Sequence, residues 1–122
     1  MAGIAAIVFD TFGTVVDWRS GVTRDLNDWG QERDLQADWP AMADAWRARY
    51  APSLQRVRDG DLPWTILDDL HRQSLIEVAD TAGLPTLSPA DLDRLVDAWH
   101  RLDPWPDAVP GLTRLRALAV PG

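Results

Sequence analysis

The sequence predicts an α/β protein of which this chain contributes mostly helices. Residues 4–9 are a continuous apolar run, typical of a strand buried on both faces of a parallel sheet. From Val22 onward, apolar residues recur at intervals of three and four, the spacing of amphipathic helices. A lone strand cannot pair its own backbone groups. Partner strands must therefore come from another copy or from a longer α/β protein of which this chain is a piece.

The central part of the chain predicts three helices in succession. The first spans the region from Val22 to Trp29, and the second begins at Pro40, because proline suits the first helical turn. Its apolar stripe continues to Tyr50. Residues 56–63 predict a turn, and a third helix follows from Trp64 to Gly83.

The last third of the chain begins with the strongest helix-start signal. Ser88 can cap a helix, Pro89 fits its first position, and Asp91 supplies the acid of a capping box. Three prolines make residues 102–111 an irregular crossing, and a short last helix is expected over residues 112–118.

Composition limits the function classes. The 122 residues suffice for one domain but are few for a complete α/β enzyme. The net charge of −7 argues against nucleic acid or an anionic membrane as a partner. The absence of cysteine excludes disulfides, thiol catalysis and thiolate metal sites. The apolar run is too short for a signal or membrane segment, so a cytoplasmic location is expected. The seven tryptophans, spread along the chain, are expected to fill helix contacts.

The candidate for chemistry is Asp10, at the carboxyl end of the predicted strand, where α/β sheets place reactive groups. The segment from Asp10 to Thr14 resembles the nucleophile loop of the haloacid dehalogenase superfamily. In that family a threonine four residues after the aspartate positions it, and phosphatase members carry a second aspartate two residues after the first. Phe12 stands there instead, as is usual in the 2-haloacid dehalogenase branch.

A second match lies in Trp46-Arg47-Ala48-Arg49-Tyr50. It is similar to the cap-domain segment in which the arginine after the tryptophan meets the substrate carboxylate and the departing halide. That arginine would be Arg47. Residues 106–112 look like the family's return from cap to core, so the resemblance runs from about Ile4 to Leu118.

The resemblance implies a Rossmann-like core with an inserted α-helical cap. Residues 1–18 would be the first strand and nucleophile loop, 19–103 the cap, and 104–122 the return to the core. Family members continue with a second strand ending in a serine-asparagine pair, a lysine and an acidic loop, none of which occurs in these 122 residues. We therefore expect an N-terminal fragment that is inactive alone.

The implied reaction is hydrolysis of a short 2-haloacid through an aspartyl ester on Asp10, with Thr14 as the second catalytic residue. An anionic substrate beside a carboxylate needs a cation, and the bidentate guanidinium of Arg47 suits that role. Thr11 and Phe12 would complete substrate and halide binding. No metal or other cofactor is expected, and a homodimer stays open.

Two alternatives compete with this hypothesis. The chain could belong to a phosphatase-like hydrolase of the same superfamily that tolerates Phe12, or it could be a non-enzymatic helical fragment that associates through its exposed strand. Each site residue also has a plain structural interpretation in a turn, a core or a solvated helix face. His71 and His100 have no matched nucleophile, so packing or surface roles are expected. Asp17 is interpreted as a structural loop acid.

Overall fold

The computed structural model of the chain describes Ala6 and residues 15–119. These residues form six α-helices, and a 3₁₀ turn, Asp97–His100, extends the fifth of them. The helices are Trp18–Glu32 (α1), Trp39–Ala48 (α2), Tyr50–Arg58 (α3), Leu67–Thr81 (α4), Pro89–Val96 (α5) and Ala108–Ala119 (α6). The mostly helical character predicted for the chain is confirmed. The predicted strand falls outside the described residues apart from Ala6.

Three helices begin where short polar side chains accept hydrogen bonds from free backbone N–H groups. Asp17 accepts from the Ser20 amide at 3.2 Å at the start of α1, which confirms its structural role. Asp38 starts α2 in the same way. The predicted capping box of α5 is present, because Ser88 and Asp91 each accept from the other's backbone N–H.

The core lies between α1, α2, α4 and α5, which pack on one another as a helical unit. Each helix buries one apolar stripe, as the sequence spacing predicts. The core residues are Val22, Leu26, Trp29, Trp39, Met42, Ala43, Trp46, Leu75, Val78, Ala79, Leu92, Leu95, Val96 and Trp99. Helix α6 packs against none of the other described helices.

Several element boundaries differ from the prediction. Helix α1 extends beyond the predicted region on both sides, from Trp18 to Glu32, and α3 includes the first three residues of the turn predicted over residues 56–63. The apolar stripe that the sequence predicts as one helix up to Tyr50 belongs to two helices. The helix is interrupted at Arg49, and α3 then runs to Arg58. Helix α4 begins at Leu67, three residues after the predicted start at Trp64. Helix α6 begins at residue 108, because proline is tolerated within the first helical turn, where N–H groups have no helical partner.

The tryptophans divide into packed and exposed residues. Four of them are buried core residues, namely Trp29, Trp39, Trp46 and Trp99, as expected. Trp64 departs from that expectation, since 81% of its surface is exposed in the segment between α3 and α4.

The chain enters and leaves the helical unit at adjacent positions. Val16 forms an isolated antiparallel bridge with Pro104. The Asp17 amide donates to the Asp103 carbonyl at 2.9 Å, and the Trp105 amide donates to the Val15 carbonyl at 3.0 Å. The chain segments that enter and leave the helices are therefore side by side. None of the described helices is long and apolar enough to cross a bilayer.

Candidate functional site

Arg47 lies near the end of α2, half-buried between two aromatic rings. The carbon of its guanidinium is 4.6 Å from the centroid of the Tyr50 ring and 6.0 Å from that of the Trp18 ring. A cation over an aromatic face is attracted by the ring's quadrupole. Tyr50 follows Arg47 by three residues, and Arg49 keeps helical dihedral angles at the break between α2 and α3, so the two side chains stay close to each other. The rings give a flexible side chain a defined place.

The neighbouring Trp46 fixes the direction in which α2 presents Arg47. Its side chain is 2% exposed, and its indole Nε1 donates to the backbone carbonyl of His71 on α4 at 3.0 Å. One residue further along a helix points about 100° around the axis, so Arg47 emerges beside the core. On the other side, Trp18 stacks on Trp99, with ring centroids 6.1 Å apart.

The titratable group beneath these rings is His71, which is 5% exposed. Burial lowers the pKa of His71 to about 4, because a charged imidazolium loses its hydration there. Asp68 opposes this shift, whereas the positive charge of Arg47 adds to it. His71 is therefore a neutral packed ring at pH 7, as its packing interpretation predicts.

The second arginine of the motif has a different role. Arg49 forms an ion pair with Glu77 on α4. Two residues apart, Arg47 and Arg49 leave the helix end in different directions, and Arg49 joins α2 to α4. Arg49 therefore has a structural role, and the role of Arg47 stays a prediction.

Several other acidic and basic residues of the helices have structural partners. His100 is hydrogen-bonded to Asp68, at 2.8 Å from its nearer carboxylate oxygen, at an exposed position. Asp93 is 73% exposed, as expected for a solvated helix face. Asp91, in contrast, does not lie on a solvated helix face. Its side chain is 14% exposed and accepts a hydrogen bond from Trp29 Nε1 at 3.2 Å. Among residues 15–119 no group of three or more ligating side chains could hold a metal ion.

The remaining predicted site residues lie outside the described part of the chain. They are Asp10, Thr11, Phe12 and Thr14. Their proximity to Arg47 therefore stays a prediction.

Sequence reasoning missed the aromatic walls of the site. The i to i+3 spacing of Arg47 and Tyr50 on one stripe is a signal that could have found the first wall. Trp18 carries no such signal, because it approaches Arg47 only through the packing of α1 on α2.

Comparison with known proteins gives consistent relatives. No protein-family model matches the chain. A curated (S)-2-haloacid dehalogenase 1 from Pseudomonas sp. (strain CBS-3) is 30% identical over 128 residues, covering 96% of this chain and 48% of the relative. This chain thus spans about half the length of the curated relative that it matches.

Solved structures agree in sequence and in fold. A defluorinating L-2-haloacid dehalogenase is 46% identical, with a TM-score of 0.85 over 89% of this chain and 45% of its own. Another L-2-haloacid dehalogenase is 44% identical, with a TM-score of 0.85 over 94% of this chain and 49% of its own. The enzyme from Xanthobacter autotrophicus is 27% identical, with a TM-score of 0.76 over 93% of this chain and 43% of its own. These similarities confirm the predicted resemblance and fold class: over most of its length the chain is similar in sequence and fold to L-2-haloacid dehalogenases of the haloacid dehalogenase superfamily.

Proposed function

We propose that this chain supplies the nucleophile and the anion-binding arginine of a hydrolase that removes halide from short 2-haloalkanoic acids. Relatives that are 44% and 46% identical over nearly the whole chain are L-2-haloacid dehalogenases. The observation that carries the proposal is the setting of Arg47. A guanidinium held between two rings, at the position matched to the family's anion-binding arginine, suits a carboxylate and a departing halide.

The proposed reaction has two steps. A carboxylate oxygen of Asp10 attacks C2 of the substrate, and the carbon–halogen bond breaks with its electron pair leaving on the halide. Water then adds to the carbonyl carbon of the resulting ester. The ester bond breaks, the 2-hydroxy acid departs, and Asp10 regains its carboxylate with release of a proton.

The cation answers a specific electrostatic problem of the first step. Two negative charges, those of Asp10 and of the substrate carboxylate, must approach each other in a site with little water. Arg47 offsets this repulsion and stabilises the halide as negative charge develops on it. We assign Thr14 to holding Asp10 on its trajectory, and Thr11 and Phe12 to the substrate and halide pocket.

Chain geometry supports the approach of the nucleophile loop to Arg47. Trp18, whose ring faces Arg47, follows Thr14 by four residues. An extended chain spans at most about 3.6 Å per residue, so the two Cα atoms are at most roughly 14 Å apart. This length limit is compatible with the proposed place of the loop beside Arg47.

We also propose that the 122 residues do not turn over substrate alone, since they span about half the length of the relatives. The test compares this chain with the same chain joined to the remaining half of the 46% identical dehalogenase. Both are incubated with 2-chloropropionate, and chloride release is measured. We expect release from the joined protein alone. Turnover by the 122-residue chain would contradict the second proposal.

Asp10→Asn in the joined protein tests the nucleophile. We expect it to abolish chloride release, because an amide cannot displace halide. The matched control is Asp61→Asn, a change of an exposed acid in the turn after α3, which should leave the rate unchanged. An active Asp10→Asn protein would refute the assignment.

Two further measurements address the alternatives. Magnesium-dependent hydrolysis of p-nitrophenyl phosphate without chloride release would favour the phosphatase-like hydrolase. Concentration-dependent association of the 122-residue chain, measured by sedimentation, would favour the homodimer or the non-enzymatic fragment.

A further inference from the structure

His71 occupies the centre of the aromatic cluster beside the candidate site. Its imidazole ring centroid is 4.7 Å from that of Trp99, 6.1 Å from that of Trp46 and 6.3 Å from that of Tyr50. These residues come from α2, α3, α4 and the 3₁₀ turn. One buried ring thus contacts residues of three other elements at this end of the unit.

Both rings that flank Arg47 depend on this centre. Tyr50 contacts His71 directly, and Trp18 stacks on Trp99, which lies against His71. The guanidinium lies over Tyr50 and faces Trp18. Arg47, Tyr50, His71, Trp99 and Trp18 therefore form a closed circuit in which each member contacts the next.

The backbone of His71 adds a fixed connection to the same helix. Its carbonyl accepts the hydrogen bond from Trp46 Nε1 at 3.0 Å, and Trp46 immediately precedes Arg47. The position of α4 thereby sets the rotation of α2 at the residue before the candidate ligand-binding arginine. Side chain and backbone of His71 act on Arg47 from two sides.

The imidazole ring of His71 contains a polar atom that lowers the stability of the fold. Its Nδ1 atom is fully buried and has no hydrogen-bond partner among the described residues. A buried polar atom without a partner destabilises a fold, whereas an apolar ring of similar shape would avoid that loss. A phenyl ring should therefore be accepted at this position, which makes a shape-matched variant available for a test.

We propose that His71 is a positioning residue for Arg47: its buried ring supports the two aromatic walls between which the guanidinium is held. The ring does not touch the substrate in this role. The inference rests on the proposed function for its catalytic meaning, since Arg47 is there the anion-binding group. Its physical content, the placement of Arg47, can be measured without turnover.

The test uses nuclear magnetic resonance of the 122-residue chain labelled with ¹³C and ¹⁵N. Protons of a side chain that lies over an aromatic face are shifted upfield by the ring current. We expect upfield Arg47 side-chain signals in the wild type. His71→Phe should retain them, and His71→Leu should lose most of the shift, because leucine provides no planar support. His100→Gln, a change of the exposed histidine, is the matched control and should have no effect.

A reference signal separates positioning from general loss of structure. The indole N–H of Trp29, hydrogen-bonded to Asp91 at the far end of α1, should stay unchanged in all variants. Arg47 signals that are unaltered in a folded His71→Leu chain would overturn the proposal. If that variant does not fold, the wild-type chain provides the test. Nuclear Overhauser effects between the His71 ring and the rings of Tyr50 and Trp99 would support the proposal, and their absence would overturn it.

Turnover in the joined protein gives a second readout. His71→Leu should raise the KM for 2-chloropropionate at least several-fold, with His71→Phe close to the wild type. A joined protein without any dehalogenation would contradict the proposed function and leave the resonance result standing. The two proposals can therefore fail separately.

Discussion

The two ends of α1 use the same residue types for different purposes. At the first end, Trp18 faces Arg47; at the other, eleven residues and about 16 Å further along, Arg33 lies over Trp29 at 5.1 Å. We call them the Arg47 end and the Trp29 end. At the Trp29 end, Asp91 binds both the arginine and the indole N–H, and Trp39 meets Trp29 edge to face.

The ends differ in how their polar groups are satisfied. Burial would raise the pKa of Asp91, but hydrogen bonds from Trp29 and Ser88 and the charge of Arg33 hold it below its usual range. At the Arg47 end, the buried polar group is the neutral His71, with a partnerless Nδ1 among the described residues. Buried polar atoms without hydrogen-bond partners are expected mainly at functional sites. The comparison thus separates an end whose buried polar groups are satisfied from the end at which we propose the function.

Removal of a buried tryptophan should lower the free energy of unfolding equally at both ends of α1. Trp29 and Trp46 are 1% and 2% exposed. Replacing either with alanine should lower the free energy of unfolding by about 3–5 kcal/mol, because each leaves a large cavity. Urea denaturation followed by circular dichroism measures this loss. Trp64→Ala, at an exposed position, is the control and should change stability by less than about 0.5 kcal/mol. A loss below about 1 kcal/mol at one end would break the comparison.

A glycine at each end of α1 is closely packed, but the neighbouring side chain is rigid only at the Trp29 end. A Cβ atom added at Gly30 would lie 2.2 Å from Cζ2 of the buried Trp39 ring. Gly30→Ala should therefore destabilise the fold by about 2 kcal/mol, despite alanine's better helix propensity. At Gly21 the added atom would meet a terminal methyl of Leu102 at 2.9 Å, which can rotate away. Gly21→Ala should be close to neutral in the same urea denaturation. Equal losses would show that the two approaches are equally rigid.

The two ends should also lose stability in different pH ranges. The pKa of His71 is lowered from 6.5 to about 4 by burial, so as the pH falls the unfolded chain takes up this proton first. The contribution of the neutral ring to stability is complete above pH 6.5 and is lost as the pH falls toward 4, by about 3 kcal/mol. His71→Phe should remove that loss, and His100→Gln should not. For Asp91, whose pKa is lowered, loss should begin only in more acidic solution. Identical pH profiles of wild type and His71→Phe would contradict the burial effect.

The smallest effect is expected at the capping box. Asp91→Asn keeps the side-chain shape but removes the charge that faces Arg33 and weakens the acceptor for Trp29 and Ser88. We expect a loss of about 1 kcal/mol in chemical denaturation. Asp93→Asn, at a position with 73% exposure, should change stability by less than about 0.5 kcal/mol. A larger loss from Asp93→Asn would show that the exposed pair with Arg72 has been undervalued.

The parts of the fold that depend on local chemistry could be predicted from the sequence. The capping box at Ser88 and the apolar stripe of α1 are set by neighbours within a few residues, so their spacing reveals them. The break between α2 and α3 could not be found, because Tyr50 continues the apolar spacing across it. The exposure of Trp64 also escaped prediction, since its size and hydrophobicity indicate burial.

The candidate site likewise contains residues that the sequence indicates and contacts that it does not. The motif predicts Arg47 as a site residue, and Tyr50 lies three residues after it. The contacts of Arg47 with Trp18, and of His71 with Trp99, join residues 28 or 29 positions apart. Such contacts follow from helix packing, and periodicity within one helix contains no information about them. The residues from Asp10 to Thr14 remain predictions from resemblance.

The bridge between Val16 and Pro104 has a consequence for modular design. Two backbone hydrogen bonds hold the entering and leaving segments next to each other. A unit whose two ends are adjacent can be excised and grafted into a surface loop of an unrelated host without stretching either polypeptide. The intervening helices could thus be exchanged between dehalogenases as a cassette, with residues 15–17 and 103–105 as the ligation points.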